Sequence, residues 1–162
     1  MAYLLDANVF IQAKNFHYGM DFCPGFWRWL ILAGESGLVF SIDKVFEELD
    51  AGNDELKAWA REHKSLFVHS DAGLAAHLAR TSTWVYQKGY SEPSISAFFG
   101  SADNYLIAHA LSARHIVVTH EKAAPQGNKI KIPDLCSAFG LACCNPYQML
   151  SREKARLILR QP

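Results

Sequence analysis

Short apolar runs separated by helix-length amphipathic segments constrain this chain more than any other feature of its sequence. Residues 2–5 (AYLL) form the first run and end at Asp6. The second covers 38–40, the third 66–69 and the most strand-like 115–119 (HIVVT), with a weaker run at 141–144. Runs this short and this continuously apolar suit strands buried on both faces. The segments between them carry helix signals. Pro24 stands well in the first turn of a helix over 24–33, with Gly34 and Gly37 after its end. Ser41 is placed to cap a helix through Asp50, and Asp54 to cap DELKAWAREH. Further helices are expected over 8–14 and 71–88, through ADNYLIAHALSAR with Ser101 as its cap, and from Pro133, Pro146 and Ser151. Residues 89–100, with Pro93 and several serines, read as the one long loop. The alternation predicts an α/β fold with a short parallel sheet covered by helices on both faces. The length of 162 residues fits a single domain over 1–162, with a basic helix over 151–161 as an appendage.

Half of the residues are hydrophobic and a fifth are charged, which excludes disordered and fibrous classes. A chain this long buries about two-thirds of its unfolded surface, so it needs neither disulfides nor a structural metal. Cys23, Cys136, Cys143 and Cys144 form no C-x-x-C pair, and the histidines supply no zinc-site spacing. The opening MAYLLDANVFIQAK lacks a signal peptide's basic start, and FWRWLILAG, from Phe26, is too short to cross a bilayer. A cytoplasmic protein without a membrane partner is therefore expected. Charge is balanced overall but not along the chain. Residues 1–113 hold eight Lys and Arg against thirteen Asp and Glu, and residues 114–162 hold eight against three. That asymmetry suits either an acidic pocket beside a polyanion-binding flank or two solvated faces.

Open α/β sheets bind ligands beyond the carboxyl ends of their strands. Asp6 ends the first run, Glu121 follows HIVVT by two residues, Asp103 sits in a helix first turn, and Glu48 lies mid-helix beside Glu47. Four carboxylates from distant segments could converge on a hard divalent cation such as Mg²⁺ or Mn²⁺. Without a cation such a cluster would repel itself. Each acid also has an ordinary reading: Asp6 as a helix cap, Asp103 as a dipole partner, Glu47 and Glu48 as exposed helix charges, Glu121 as a loop residue. Their coincidence at element ends is what favours a site. The aromatics of FWRWLILAG read as core, with any exposed edge available to a second copy or a partner protein, and Phe98 and Phe99 read as loop anchors. His120 reads as structural rather than as a base.

Four segments resemble the PIN-domain ribonucleases in order and context. LLDANVFI at 4–11 is similar to that family's opening strand, SIDKVFEEL at 41–49 to its second motif, SADNYLIAHAL at 101–111 to its third and HIVVTHE at 115–121 to its fourth. The resemblance covers about residues 3–150. It implies a three-layer α/β/α PIN-like fold and a Mg²⁺- or Mn²⁺-dependent endoribonuclease, often the VapC-like toxin of a type II toxin–antitoxin pair. By position, Asp6, Glu48, Asp103 and Glu121 would be both the catalytic and the metal-binding acids, with Asn8 and Thr119 in support. Glu47 competes with Glu48, and Glu121 stands where Asp is more usual. Extra length around 16–28 and 89–100 suggests a distinct subfamily. RNA and an antitoxin are the partners implied, with a homodimer possible. Lys129 and Lys131 after the fourth motif, and Arg152, Lys154, Arg156 and Arg160 on the expected last helix, could hold the RNA backbone. The alternative is a non-catalytic PIN-like module that binds RNA or protein. A dehalogenase-type phosphatase would need Asp where Asn8 stands, and no P-loop, GxGxxG or G-x-S-x-G segment is present.

Overall fold

The structure, a computed structural model, describes residues 1–159. Five short strands form one all-parallel sheet: β1 (Tyr3–Leu5), β2 (Val39–Ile42), β3 (Phe67–Val68), β4 (Ile116–Val118) and β5 (Cys143–Cys144). Their order is β3-β2-β1-β4-β5, with Leu5 paired to Val118 at the end of the central pair. Leu4, Leu5, Val39, Val117 and Val118 are wholly buried, as expected for strands covered on both sides.

Helices α1 (Ala7–Gln12), α2 (Pro24–Glu35), α3 (Asp43–Asp50) and α4 (Glu55–Glu62) accompany the march from β1 to β3. The path then returns across the sheet through α5 (Ala75–Gln87), α6 (Glu92–Gly100) and α7 (Asp103–Ala113) to β4, through α8 (Ile132–Phe139) to β5, and ends in α9 (Pro146–Arg152). Parallel crossovers are right-handed, so reversing the direction of travel puts α1–α4 on one face and α5–α8 on the other. The packing agrees. Phe10 of α1 and Trp27 of α2 both meet Trp59 of α4, at ring-centroid distances of 5.9 and 4.9 Å, whereas α7 packs between α5 and α8. The fold is a three-layer α/β/α sandwich. Among the described residues no helix is long and apolar enough to cross a membrane.

Three local expectations are corrected. Residues 89–100 are not a loop but mainly α6: the Ser91 hydroxyl accepts from the Ser94 amide, Pro93 occupies the first turn, and Ile95 and Phe98 are buried. Ser41 caps no helix. It lies in β2, where its hydroxyl donates to the Leu5 carbonyl at 2.6 Å and ties β2 to the end of β1. The basic helix expected over 151–161 does not form among the described residues, because α9 stops at Arg152. Lys154 turns left-handed (φ 52°), and its amide and that of Ala155 close onto the Ser151 and Leu150 carbonyls at 3.1 and 2.9 Å. Arg156 therefore lies beyond the helix, and Arg160 lies outside the described residues.

Ile107 is fully buried in the middle of α7, the helix that carries Asp103. Ile107→Ala is expected to cost about 2–5 kcal/mol through lost burial and the cavity left behind. Urea unfolding followed by circular dichroism measures this.

Candidate active site

The chain leaves β1 and β4 toward opposite faces, so a crevice opens between their carboxyl ends, where open α/β sheets hold their ligands. Asp6 is delivered there directly: its amide donates to the Val118 carbonyl at 3.0 Å, and its side chain is only 4% exposed. The hydroxyl of Thr119, at the end of β4, donates to Asp6 Oδ2 at 2.7 Å. It also accepts from Asn8 Nδ2 and from the Glu121 amide, each at 3.0 Å. A hydroxyl has one proton and two acceptor sites, and both neighbours can only donate, so the proton must go to Asp6. Asn8 is fixed in turn, because its Oδ1 accepts the His120 amide at 3.0 Å.

The other acids come from the opposite side of the crevice and from α3, the helix after β2. Asp103 opens α7, whose N-cap position falls on Ala102 rather than on Ser101 as expected; the Asp103 amide still donates to the Ser101 hydroxyl, one residue outside that position, at 3.3 Å. Glu48, on α3, accepts the Ala102 amide at 2.7 Å and so holds the start of α7. Glu47 pairs with Lys44 at 2.9 Å, so of the two neighbours it is Glu48 that reaches the start of α7. Glu121 accepts from Lys131 Nζ at 2.7 Å and from the Ile132 amide at 2.8 Å. Its longer side chain reaches the start of α8, a tether that the sequence reading missed; the only signal for it is an acid and a base ten residues apart around a loop.

Burial, followed by the charge of Asp103, pushes the Asp6 carboxyl up to about 8. Asp103 rises to about 7, again chiefly through burial and then through the charges of Glu121 and Glu48. The four acids thus share one electrostatic environment. Even so, among the described residues no three His, Cys, Asp or Glu side chains form a ready-made metal-binding group. The reason is visible in Glu48 and Glu121, whose oxygens are turned onto backbone amides and Lys131. The donor set nevertheless fits a hard cation: oxygen ligands only, with Asp6 raised by its burial and the charge of Asp103, and half-buried Asp103 by desolvation and the charges of Glu121 and Glu48.

Lys129 and Lys131 line an open cleft of about 360 Å³ together with Asp103, Ser101, Ser94 and Phe98. Two of the arginines expected to join them, Arg152 and Arg156, do not. Helix α9 runs back toward the start of β1, where Tyr3 donates to Glu153 at 2.7 Å, and Arg152 neighbours that pair. Arg156 lines a separate pocket with Tyr18, Leu150 and Leu157.

A family profile described as a domain of unknown function, DUF4411, matches residues 3–157. The chain belongs to the DUF4411 family. No curated protein matches it. All four acids, Thr119 and both cleft lysines of this DUF4411 chain fall inside the matched span.

Because Asp6 and Asp103 hold their protons more tightly when folded, their contribution to stability is complete below the unfolded carboxyl range and is lost as pH rises through 7 to 8. Between about pH 5 and 7, each group is expected to lower stability by about 1.4 kcal/mol per pH unit without divalent cation. Asp6→Asn removes one of the two protons and should flatten the profile. Urea midpoints at successive pH values test this, and a wild-type stability that climbs across the window contradicts it.

Proposed function

We propose that this DUF4411 chain is a divalent-cation-dependent endoribonuclease whose site is the crevice between β1 and β4. One observation carries the reading. Burial and the charge of Asp103 raise the pKa of Asp6, burial and the charges of Glu121 and Glu48 raise that of half-buried Asp103, and Lys131 is the only basic side chain paired with these acids among the described residues. The PIN-like order of the four motifs supports the same reading. Asp6 and Asp103 would hold Mg²⁺ or Mn²⁺, with Glu48 and Glu121 completing the acidic ring. Such a cation, when bound, lowers the pKa of a coordinated water and neutralises charge building on a phosphate.

The chain's own residues supply the rest. Thr119 holds Asp6 in one rotamer by a hydrogen bond that Asn8 and the Glu121 amide orient. Lys129 and Lys131 offer positive charge along the cleft beside Asp103, suited to a ribose-phosphate backbone. Their pKa values near 7 and 8 describe the cation-free site, so Asp103 and Asp6 would release protons near neutral pH as a cation binds. The VapC-like resemblance extends the proposal to a toxin held in check by an antitoxin protein. A second reading has its own support: Glu48 and Glu121 already spend oxygens on protein donors, as in a non-catalytic module that binds RNA or protein.

Calorimetric titration with Mn²⁺ or Mg²⁺, followed by incubation with RNA, separates the two. The nuclease reading expects saturable binding that Asp103→Asn abolishes, and RNA cleavage that falls at least about 100-fold in both Asp6→Asn and Asp103→Asn. Cleavage that survives in either variant, or folded wild-type protein that leaves RNA intact with either cation, sinks it.

A further inference from the structure

Phe16, His17, His120 and Tyr147 form a continuous aromatic surface on the rim of the crevice. The ring of His17 lies 5.2 Å from that of His120, 5.5 Å from Tyr147 and 6.3 Å from Phe16, and His120 lies 5.7 Å from Tyr147. Three separate elements contribute. Helix α1 ends in a π-helical turn, Ala13–His17, closed by the Tyr18 amide on the Ala13 carbonyl at 2.7 Å. Inward of that turn, Tyr18 stacks on Phe26 at 4.3 Å and its carbonyl accepts the Trp27 indole at 2.6 Å. The anchor leaves Phe16 and His17 on the outside of the turn. Tyr147 comes from the first turn of α9, and His120 from the residue after Thr119.

Packing does not account for this surface. Phe16 is 73% exposed and Tyr147 44%; Phe22 and Tyr86 are exposed as well, whereas Phe10, Phe26 and Trp27 are in the core. The rings meet edge-on or tilted, so they do not bury one another's faces. Position gives the surface its meaning. The His120 amide is bound by Asn8, and the neighbouring Thr119 hydroxyl touches Asp6, so the platform begins one residue from the acids. It lies on the side of α1, whereas Lys129 and Lys131 lie across the crevice with Asp103.

We propose that these four rings are a stacking platform for one unpaired nucleobase of a single-stranded nucleic acid. This rests on the reading above in one respect, that the adjoining phosphate sits at Asp6 and Asp103. Planar aromatic and heteroaromatic side chains hold splayed bases by stacking, with little dependence on base identity. A duplex keeps its bases stacked on each other, so single strands are favoured.

The test uses the full chain and a single-stranded RNA carrying one 2-aminopurine, moved along the strand in a series of oligonucleotides, with the fully paired duplex alongside. Stacking is expected to quench the fluorophore at one register on the single strand and at none on the duplex. Tyr147→Ala and Phe16→Ala, both at exposed positions, should each relieve the quench and weaken binding by about 5- to 150-fold, with Tyr147→Phe restoring both. Quench and affinity left unchanged by Tyr147→Ala and Phe16→Ala overturn the platform, even where cation binding and RNA cleavage by the wild type stand. Register-specific quench that these variants relieve, in a protein that never cleaves RNA, upholds the platform and removes the nuclease reading alone.

Discussion

The hydrogen bond from Thr119 to Asp6 is the contact on which the crevice depends. Asp6 is nearly inaccessible to water at the end of a fully buried strand, where an ionised carboxylate is costly unless it is well solvated by the protein. Thr119 offers one donor, and its two acceptor sites are filled by Asn8 and the Glu121 amide, so the hydroxyl cannot turn away. The pairing of Leu5 with Val118 brings the two strand ends level, which is what lets a side chain at the end of β4 meet one at the end of β1. Ser41 adds a third strand to the junction through the Leu5 carbonyl. The position of Asp6 is thus set by backbone register, while its charge is left largely uncompensated.

That incomplete compensation distinguishes Asp6 and Asp103 from Glu48 and Glu121. The two glutamates each close onto a helix start, Glu48 on the Ala102 amide and Glu121 on the Ile132 amide, where backbone N–H groups and the helix dipole favour negative charge. They hold α7 and α8 in place around the crevice. The two aspartates have shorter reach and less relief, and their raised pKa values record it. A cation entering the crevice would meet two acids with a strong electrostatic reason to bind it and two that must first give up protein partners. The Lys131 ammonium is part of that exchange: releasing Glu121 would free the lysine into the cleft it already lines.

Much of this was legible in the sequence because buried parallel strands leave a short, plain signature. AYLL before Asp6 and HIVVT before Glu121 are too apolar to be anything but interior, and they place two of the four acids at strand ends. What escaped was set by contacts between distant segments. Residues 89–100 carry Ser91, Pro93 and two glycines, turn formers by composition, yet here Ser91 caps α6, Pro93 sits in its first turn and Gly100 ends it. Ser41 looks like a cap until the strand beside it claims its hydroxyl. The C-terminal basic run has helical spacing, but the left-handed turn at Lys154 ends α9 and parts Arg156 from it. Nothing local in the sequence marks the π-helical turn that brings His17 to His120; its cause is the anchoring of Tyr18 against Phe26 and Trp27.

The reversal of strand order explains why the two flanks of the crevice differ in chemistry. Elements before the reversal lie on one face, and α1 brings its π-helical turn and aromatic rings to the rim. Elements after it lie on the other, and the loop from Glu121 to α8 brings Lys129 and Lys131. The acids sit on the seam because Asp6 belongs to the first group and Asp103 and Glu121 to the second. A polymer lying across the seam would therefore meet cations on one side, aromatic faces on the other and carboxylates between. A nucleotide presents the complementary three: a backbone charge, a planar base and a phosphodiester whose cleavage a hard cation can assist. On the function proposed above, a single-stranded nucleic acid fits that order.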